Sequence, residues 1–199
     1  MQNTQSQGTL FEAVALASTS TRLILTTVAV LFGVCLLTLS AKIQVPFWPV
    51  PMTMQTLVVL MLGMAYGSLF GAGTVLAYLL VGAAGFPVFA GTPERGIGLA
   101  YMMGPTGGFL MGFVVAAWIT GLLAERGWDR STPWCAAAMF AGTLAIFVFG
   151  LAVLTPIVGL SRAIETGFTP FLASSTLKLA LGAVAMPLVW RAVRLRQAE

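Results

Sequence analysis

The chain has few charged residues and no histidine. Only 8% of its 199 residues are charged, whereas soluble domains usually carry about 25%. The six acids, none of which falls inside a long apolar run, are Glu12, Glu94, Glu125, Asp129, Glu165 and Glu199. The sequence also lacks a metal-ligand cluster, a phosphate-binding loop and a G-x-S-x-G motif, so it indicates neither an enzyme nor a bound cofactor. A proton-coupled carrier normally buries Asp, Glu or His along its path, and this absence argues against such a carrier too.

Apolar residues dominate instead, at 58% of the chain. This composition predicts an all-α integral membrane protein that contacts the lipid bilayer and binds no nucleic acid. Residues 22–195 are long enough for about six transmembrane helices of roughly 20 residues each in a single membrane domain. Residues 1–21 form a polar N-terminal segment, which could include an interfacial helix from Leu10 onwards.

The second and third predicted spans are short. Residues 52–84 contain a break at residues 65–68, which leaves two helices of about 14 to 16 residues, or roughly 21 to 24 Å. A hydrocarbon core of about 30 Å is thicker than that. Irregular backbone must fill the remaining depth, and it is tolerated there only where protein buries it or it lines a cavity.

Three long loops are available for this purpose, and all three are predicted on the outer side. The first, at residues 44–52, has three prolines in six positions, so it cannot be helical and should run extended. The second covers residues 85–105 and the third residues 161–171. We therefore expect loops 1, 3 and 5, counted between spans, to fold over a ligand cavity. Phe47 and Trp48 in the first loop are read either as shields of that ligand or as ordinary interfacial anchors.

Basic residues are more frequent on one side of the predicted bundle. The positions assigned to the inner side are Arg22, Arg126, Arg130, Arg191, Arg194 and Arg196. Those assigned to the outer side are Lys42, Arg95 and Arg162. The positive-inside rule then predicts a multi-pass protein of the plasma or inner membrane with both termini in the cytoplasm.

Small residues recur at four-residue spacing, as in Ala29 and Gly33 of the first span and Gly63, Gly67 and Gly71 further on. Such faces let helices approach closely in lipid. Most of them serve packing within the protein. The Ala29/Gly33 face is the one assigned to a partner protein.

Lys178 is the one charge well inside a predicted span. A lysine near the edge of the core either snorkels to the interface or meets a ligand. The sequence suggests a cavity lined by Lys178, the aromatics of the first loop and four further side chains. These four are Thr53, Gln55, Arg95 and Tyr101. The set suits a small organic acid with an apolar body and an amide-like head.

Four segments resemble the BioY family: AKIQVP (residues 41–46), PVPMTMQTL (49–57), GFPVFAG (85–91) and MGPTGGFL (103–110). The likeness runs from about residue 22 to 190, and the P-V-P-x-T-x-Q and G-P-T-G-G stretches together are specific. The resemblance implies a biotin-specific S component, which captures biotin outside and works with a transmembrane coupling protein and two ATPases of an energy-coupling-factor (ECF) transporter. It adds Phe89 and Ser175 to the expected ligand set.

One position departs from the family pattern. An acid is expected three residues before the lysine of the sixth span, and this chain has Ser175 there. The ureido head of biotin is then expected to meet Gln55, Thr53 or the hydroxyls of the sixth span, and its carboxylate Arg95 or Lys178. Two alternatives stay open: an S component for another small vitamin, and a membrane scaffold protein that does not transport.

Overall fold

Helices make up most of the computed structural model, which describes residues 9–10, 19–45 and 48–197. Phe47 and most of the polar N-terminal segment lie outside these ranges. Within these ranges, four helices are long and apolar enough to cross a membrane. They are α1 (Thr19–Lys42), α5 (Gly107–Glu125), α6 (Thr132–Val158) and α8 (Phe171–Gln197).

Two shorter apolar helices occupy the second and third predicted spans. Helix α2 (Gln55–Tyr66) has 12 residues and α3 (Ser68–Ala83) has 16, so the predicted break is confirmed. Gly67 separates them with a φ of 88°, a conformation that residues with a Cβ rarely adopt. Both helices are too short to cross the hydrocarbon core alone.

The first outer loop folds back on itself as a small hairpin. Strand β1 (Gln44–Val45) pairs antiparallel with β2 (Met52–Thr53), which agrees with the extended backbone that the prolines predict. The second loop contains the short helix α4 (Gly98–Met102). The prediction that residues 161–171 form a loop is wrong for most of that range, which forms helix α7 (Leu160–Gly167). Apolar residues recur along α7 with helical period. The buried face of this helix contains Ala163 and Gly167.

Helix α5 is the centre of the bundle and packs against α2, α3 and α6. Glycines allow this close approach. A Cβ placed on Gly63 would lie 2.8 Å from the Ala117 Cα, and one on Gly71 would lie 2.9 Å from the Gly63 Cα. The small-residue face of α2 and α3 therefore serves internal packing.

The Ala29/Gly33 face of α1 also points inward. Tyr66 donates a hydrogen bond from its hydroxyl to the Ala29 carbonyl at 2.9 Å. A Cβ on Gly33 would lie 2.5 Å from the Thr74 Cγ2. This face is occupied by α2 and α3 of the same chain, so its assignment to a partner protein is corrected.

Polar side chains tie the helices together at the end opposite the loops. The Glu125 carboxylate accepts hydrogen bonds from the Ser68 backbone N–H at 2.7 Å and from the Ser68 hydroxyl at 2.8 Å. It thereby caps the N-terminus of α3. In the 3₁₀ helix Trp128–Arg130, Asp129 is buried and accepts a hydrogen bond from the Trp190 indole. Burial raises the pKa of the Asp129 carboxyl, against the opposing effects of the Trp190 hydrogen bond and the Arg130 charge.

Candidate functional site

A cavity extends from the loop end of the helix bundle towards its centre. Its empty space amounts to about 590 Å³, counting the part open to solvent. Loops 1 and 3 and helices α2, α4, α5, α6 and α8 all contribute. The apolar lining consists of Val50, Pro51, Ala90, Phe109, Leu110, Phe113, Ile146, Phe147 and Phe171. The polar lining consists of Thr53, Gln55, Thr56, Tyr101, Thr106, Thr143, Ser175 and Lys178.

Lys178 lies on the wall of this cavity rather than at the lipid surface. Its side chain is only 6% exposed, and it lies seven residues into α8, or about 10 Å along the axis. The ammonium donates to the Thr53 carbonyl at 2.7 Å and to the Thr56 hydroxyl at 3.1 Å. An ammonium carries three donors. These two bonds hold Lys178 at the start of α2 and use two of its three donors.

Gln55 links three elements through its buried amide. The amide nitrogen donates to the Tyr78 hydroxyl at 2.7 Å and, at 3.5 Å, lies close to the Leu37 carbonyl of α1. The Tyr78 hydroxyl donates in turn to the Val88 carbonyl at 3.0 Å. The amide NH₂ is thus directed into the protein, and the Gln55 amide oxygen, 3.4 Å from the Thr53 hydroxyl, is the acceptor near the cavity.

Tyr101 forms part of the wall, with Phe89 behind it. Its hydroxyl donates to the Ala90 carbonyl at 2.8 Å, and its ring stacks on Phe89 with centroids 5.0 Å apart. Phe89 is fully buried and lies outside the lining, against Gly82 and Tyr78. Burial raises the pKa of the Tyr101 hydroxyl, while the Thr106 hydrogen bond and the Arg95 charge lower it.

Two other sequence-predicted residues are not among those that line the cavity. Arg95 is exposed and packs its side chain beside Gly91. Trp48 is 76% exposed. Of the predicted ligand residues within the described ranges, the lining contains Thr53, Gln55, Tyr101, Ser175 and Lys178.

Sequence patterns did not indicate the further aromatic and hydroxyl groups that line the cavity from Thr106, α5, α6 and the start of α8. Phe109, Phe147 and Phe171 form an apolar wall, with Phe147 and Phe171 in edge contact at 6.5 Å. Thr106 and Thr143 add hydroxyls. An aromatic residue in an apolar span gives no signal that distinguishes a cavity from lipid. Thr106 and Phe109 lie in the quoted MGPTGGFL segment and Thr56 in PVPMTMQTL, so these positions could have been indicated by a motif.

Comparison with known proteins places this chain in a family. The family model described as "BioY family" matches residues 10–195. A protein named "Biotin transporter BioY" from Thermotoga maritima is 37% identical over 165 residues, covering 82% of this chain and 91% of that protein. The "Probable biotin transporter BioY" of Pyrococcus horikoshii is 35% identical over 151 residues, covering 76% of this chain and 87% of that protein.

A similar fold is found in a crystal structure described as the S-component for biotin from an ECF-type ABC transporter. The TM-score is 0.73, the sequence identity is 22%, and the match covers 91% of this chain and 95% of that one. The likeness shows that this chain has the membrane fold of that protein.

Proposed function

Because the chain belongs to the BioY family, we propose that it is the biotin-binding substrate-capture subunit, or S component, of a vitamin uptake transporter. The observation that carries the proposal is the cavity, which combines an aromatic wall with one buried ammonium and a set of hydroxyls. Biotin is a small acid with an apolar body and a ureido head, and this lining offers a partner for each part.

The lining suggests how the ligand is held. The bicyclic body packs against Phe109, Phe147 and Phe171. The ureido N–H groups need acceptors, which the Gln55 amide oxygen and the hydroxyls supply. The third N–H of Lys178 donates to an oxygen of biotin, either the carboxylate or the ureido carbonyl. The described residues that line the cavity include no carboxylate, so an anionic ligand meets no like charge there.

Binding should appear as stabilisation of the detergent-purified protein. Biotin at 100 times its Kd is expected to raise the free energy of unfolding by about 2.7 kcal/mol, measured as a shift in thermal unfolding. Competition with other vitamins tests the alternative of the same fold serving another vitamin. A protein that no vitamin stabilises would instead favour the scaffold reading.

We further propose that uptake is driven by a separate coupling protein with ATPase subunits. The chain has no phosphate-binding loop and no acid inside an apolar run, so it lacks the usual means of coupling transport to ATP or protons. A transport measurement tests this part of the proposal. Reconstituted vesicles that contain only this subunit should bind biotin but not concentrate it. Accumulation against a gradient by the subunit alone would contradict this part of the proposal.

The protein is a multi-pass membrane protein, and we propose that both termini face the cytoplasm. Arg126 and Arg130 lie at the end of the bundle opposite the loops, as do Arg191 and Arg194 near the end of α8. The positive-inside rule supports this orientation. A cysteine appended to the C-terminus is expected to react with a membrane-impermeant thiol reagent only after the cells are permeabilised. Labelling of intact cells would reverse the assignment.

A further inference from the structure

Lys42 is the last residue of α1, and its ammonium makes a set of contacts that the binding site does not itself require. It donates to the Phe89 carbonyl at 3.1 Å, to the Thr92 carbonyl at 3.2 Å and to the Thr92 hydroxyl at 3.1 Å. All three acceptors belong to the second outer loop (residues 85–105, which is loop 3 when counted between spans). Both acceptor residues are buried. We call these three hydrogen bonds the Lys42 clamp.

The acceptor residues of the Lys42 clamp flank a residue of the cavity wall. Ala90, which lines the cavity, lies between Phe89 and Thr92, and its carbonyl accepts the hydrogen bond of Tyr101. Residues 88–92 are therefore held by Tyr78 from α3, by Tyr101 from α4 and by Lys42 from α1. Within the described residues, only the Lys42 clamp ties this segment to α1 by a charged group, and hydrogen bonds to charged groups are stronger than neutral ones.

Helix α1 is the least enclosed of the four long helices. Of its span, 17% is buried, against 28% for α8, 39% for α6 and 61% for α5. It packs mainly against α2 and α3. A weakly enclosed helix can shift at lower cost than the central one. A shift of its outer end would pull on residues 88–92 through the clamp.

We propose that Lys42 is a positioning residue that holds the outer wall of the cavity closed, so that release of the ligand requires the Lys42 clamp to break or to move with α1. Lys42 is not among the residues that line the cavity. The proposal rests on the proposed function for its ligand. That Lys42 holds residues 88–92 in place applies to the ligand-free protein as well.

The test compares Lys42→Met with Lys42→Arg. Loss of the clamp is expected to speed biotin dissociation at least tenfold, a factor equivalent to about 1.4 kcal/mol, without slowing association. Arginine keeps a charged donor and should restore the slow rate to within about threefold. Arg162→Met is the matched control, because it removes an exposed cation from α7 at the same end of the bundle. A dissociation rate for Lys42→Met within twofold of the parent would overturn the proposal.

A readout without ligand separates this proposal from the proposed function. Amide hydrogen exchange at residues 88–92 should be faster in ligand-free Lys42→Met than in the parent, with the protection of α5 unchanged. If the parent does not bind biotin, the proposed function fails. The exchange pattern still tests whether the Lys42 clamp restrains residues 88–92. Should Lys42→Met not fold, Thr92→Val takes its place, because it removes one acceptor of the clamp. Unchanged exchange in the folded variant would rule the clamp out.

Discussion

Lys178→Met is expected to weaken biotin binding by about 10- to 150-fold, because a hydrogen bond from a charged donor contributes about 1.5 to 3 kcal/mol and each factor of ten corresponds to 1.4 kcal/mol. The structure gives this expectation its basis. Lys178 is buried on the cavity wall, and two of its three donors are held by Thr53 and Thr56. A lysine that merely snorkelled to the interface would be dispensable for binding. Isothermal titration of the detergent-purified variant measures the change.

Two comparisons make the result interpretable. Titration with biotin and with its carboxamide shows which oxygen Lys178 meets, because only the carboxylate loses its charge in the amide. Arg95→Met tests the rival assignment of the carboxylate to Arg95, which lies outside the cavity lining. Arg162→Met controls for the loss of a positive charge. If Lys178→Met were folded and bound biotin within about twofold of the parent, the ligand contact would be ruled out.

Gly63→Val should lower the free energy of unfolding by about 3 kcal/mol or more, because added side-chain atoms would overpack a tightly filled core. The nearest groups include the Ala117 Cα at 2.8 Å. Backbone cannot rotate away as the end of a flexible side chain can. Helices α2, α3 and α5 meet at this point, so separating them would also distort the wall formed by Gln55 and Phe109. Thermal unfolding in detergent and the yield of monodisperse protein measure the effect.

Gly73→Ala provides the matched control in the neighbouring helix. A Cβ at Gly73 would meet no atom within 4 Å apart from its chain neighbours and the backbone of its own helix, and alanine is favoured over glycine inside a helix by about 1 kcal/mol. This variant should therefore be as stable as the parent or more stable. Equal stability of Gly63→Val and the parent would show that α2 and α5 do not pack as closely as the structure indicates.

Local sequence features were sufficient to locate most helices. The apolar composition predicted membrane-spanning helices, and α1, α5, α6 and α8 are long and apolar enough to be such helices, because about 20 apolar residues in a row are stable only in lipid or in a buried core. The break at Gly67 and the extended first loop followed from glycine and proline, whose backbone preferences hold in any surroundings. Helix α7 was missed because its eight residues are too few for a composition-based prediction.

The sequence alone determined the membrane class of the protein, its excess of arginine at one end of the bundle and the unusual position of Lys178. These are properties of composition and spacing, and they need no knowledge of neighbours. The tertiary structure decided which face of each helix points where: it turned Gly33 towards Thr74, placed Phe89 behind Tyr101, and gathered Thr106, Thr143 and three phenylalanines around one cavity. It also brought Lys178 to Thr53 and Lys42 to Thr92. Helices that are apolar on every side show no amphipathic pattern from which such contacts could be predicted, so only the packing of the whole bundle settles them.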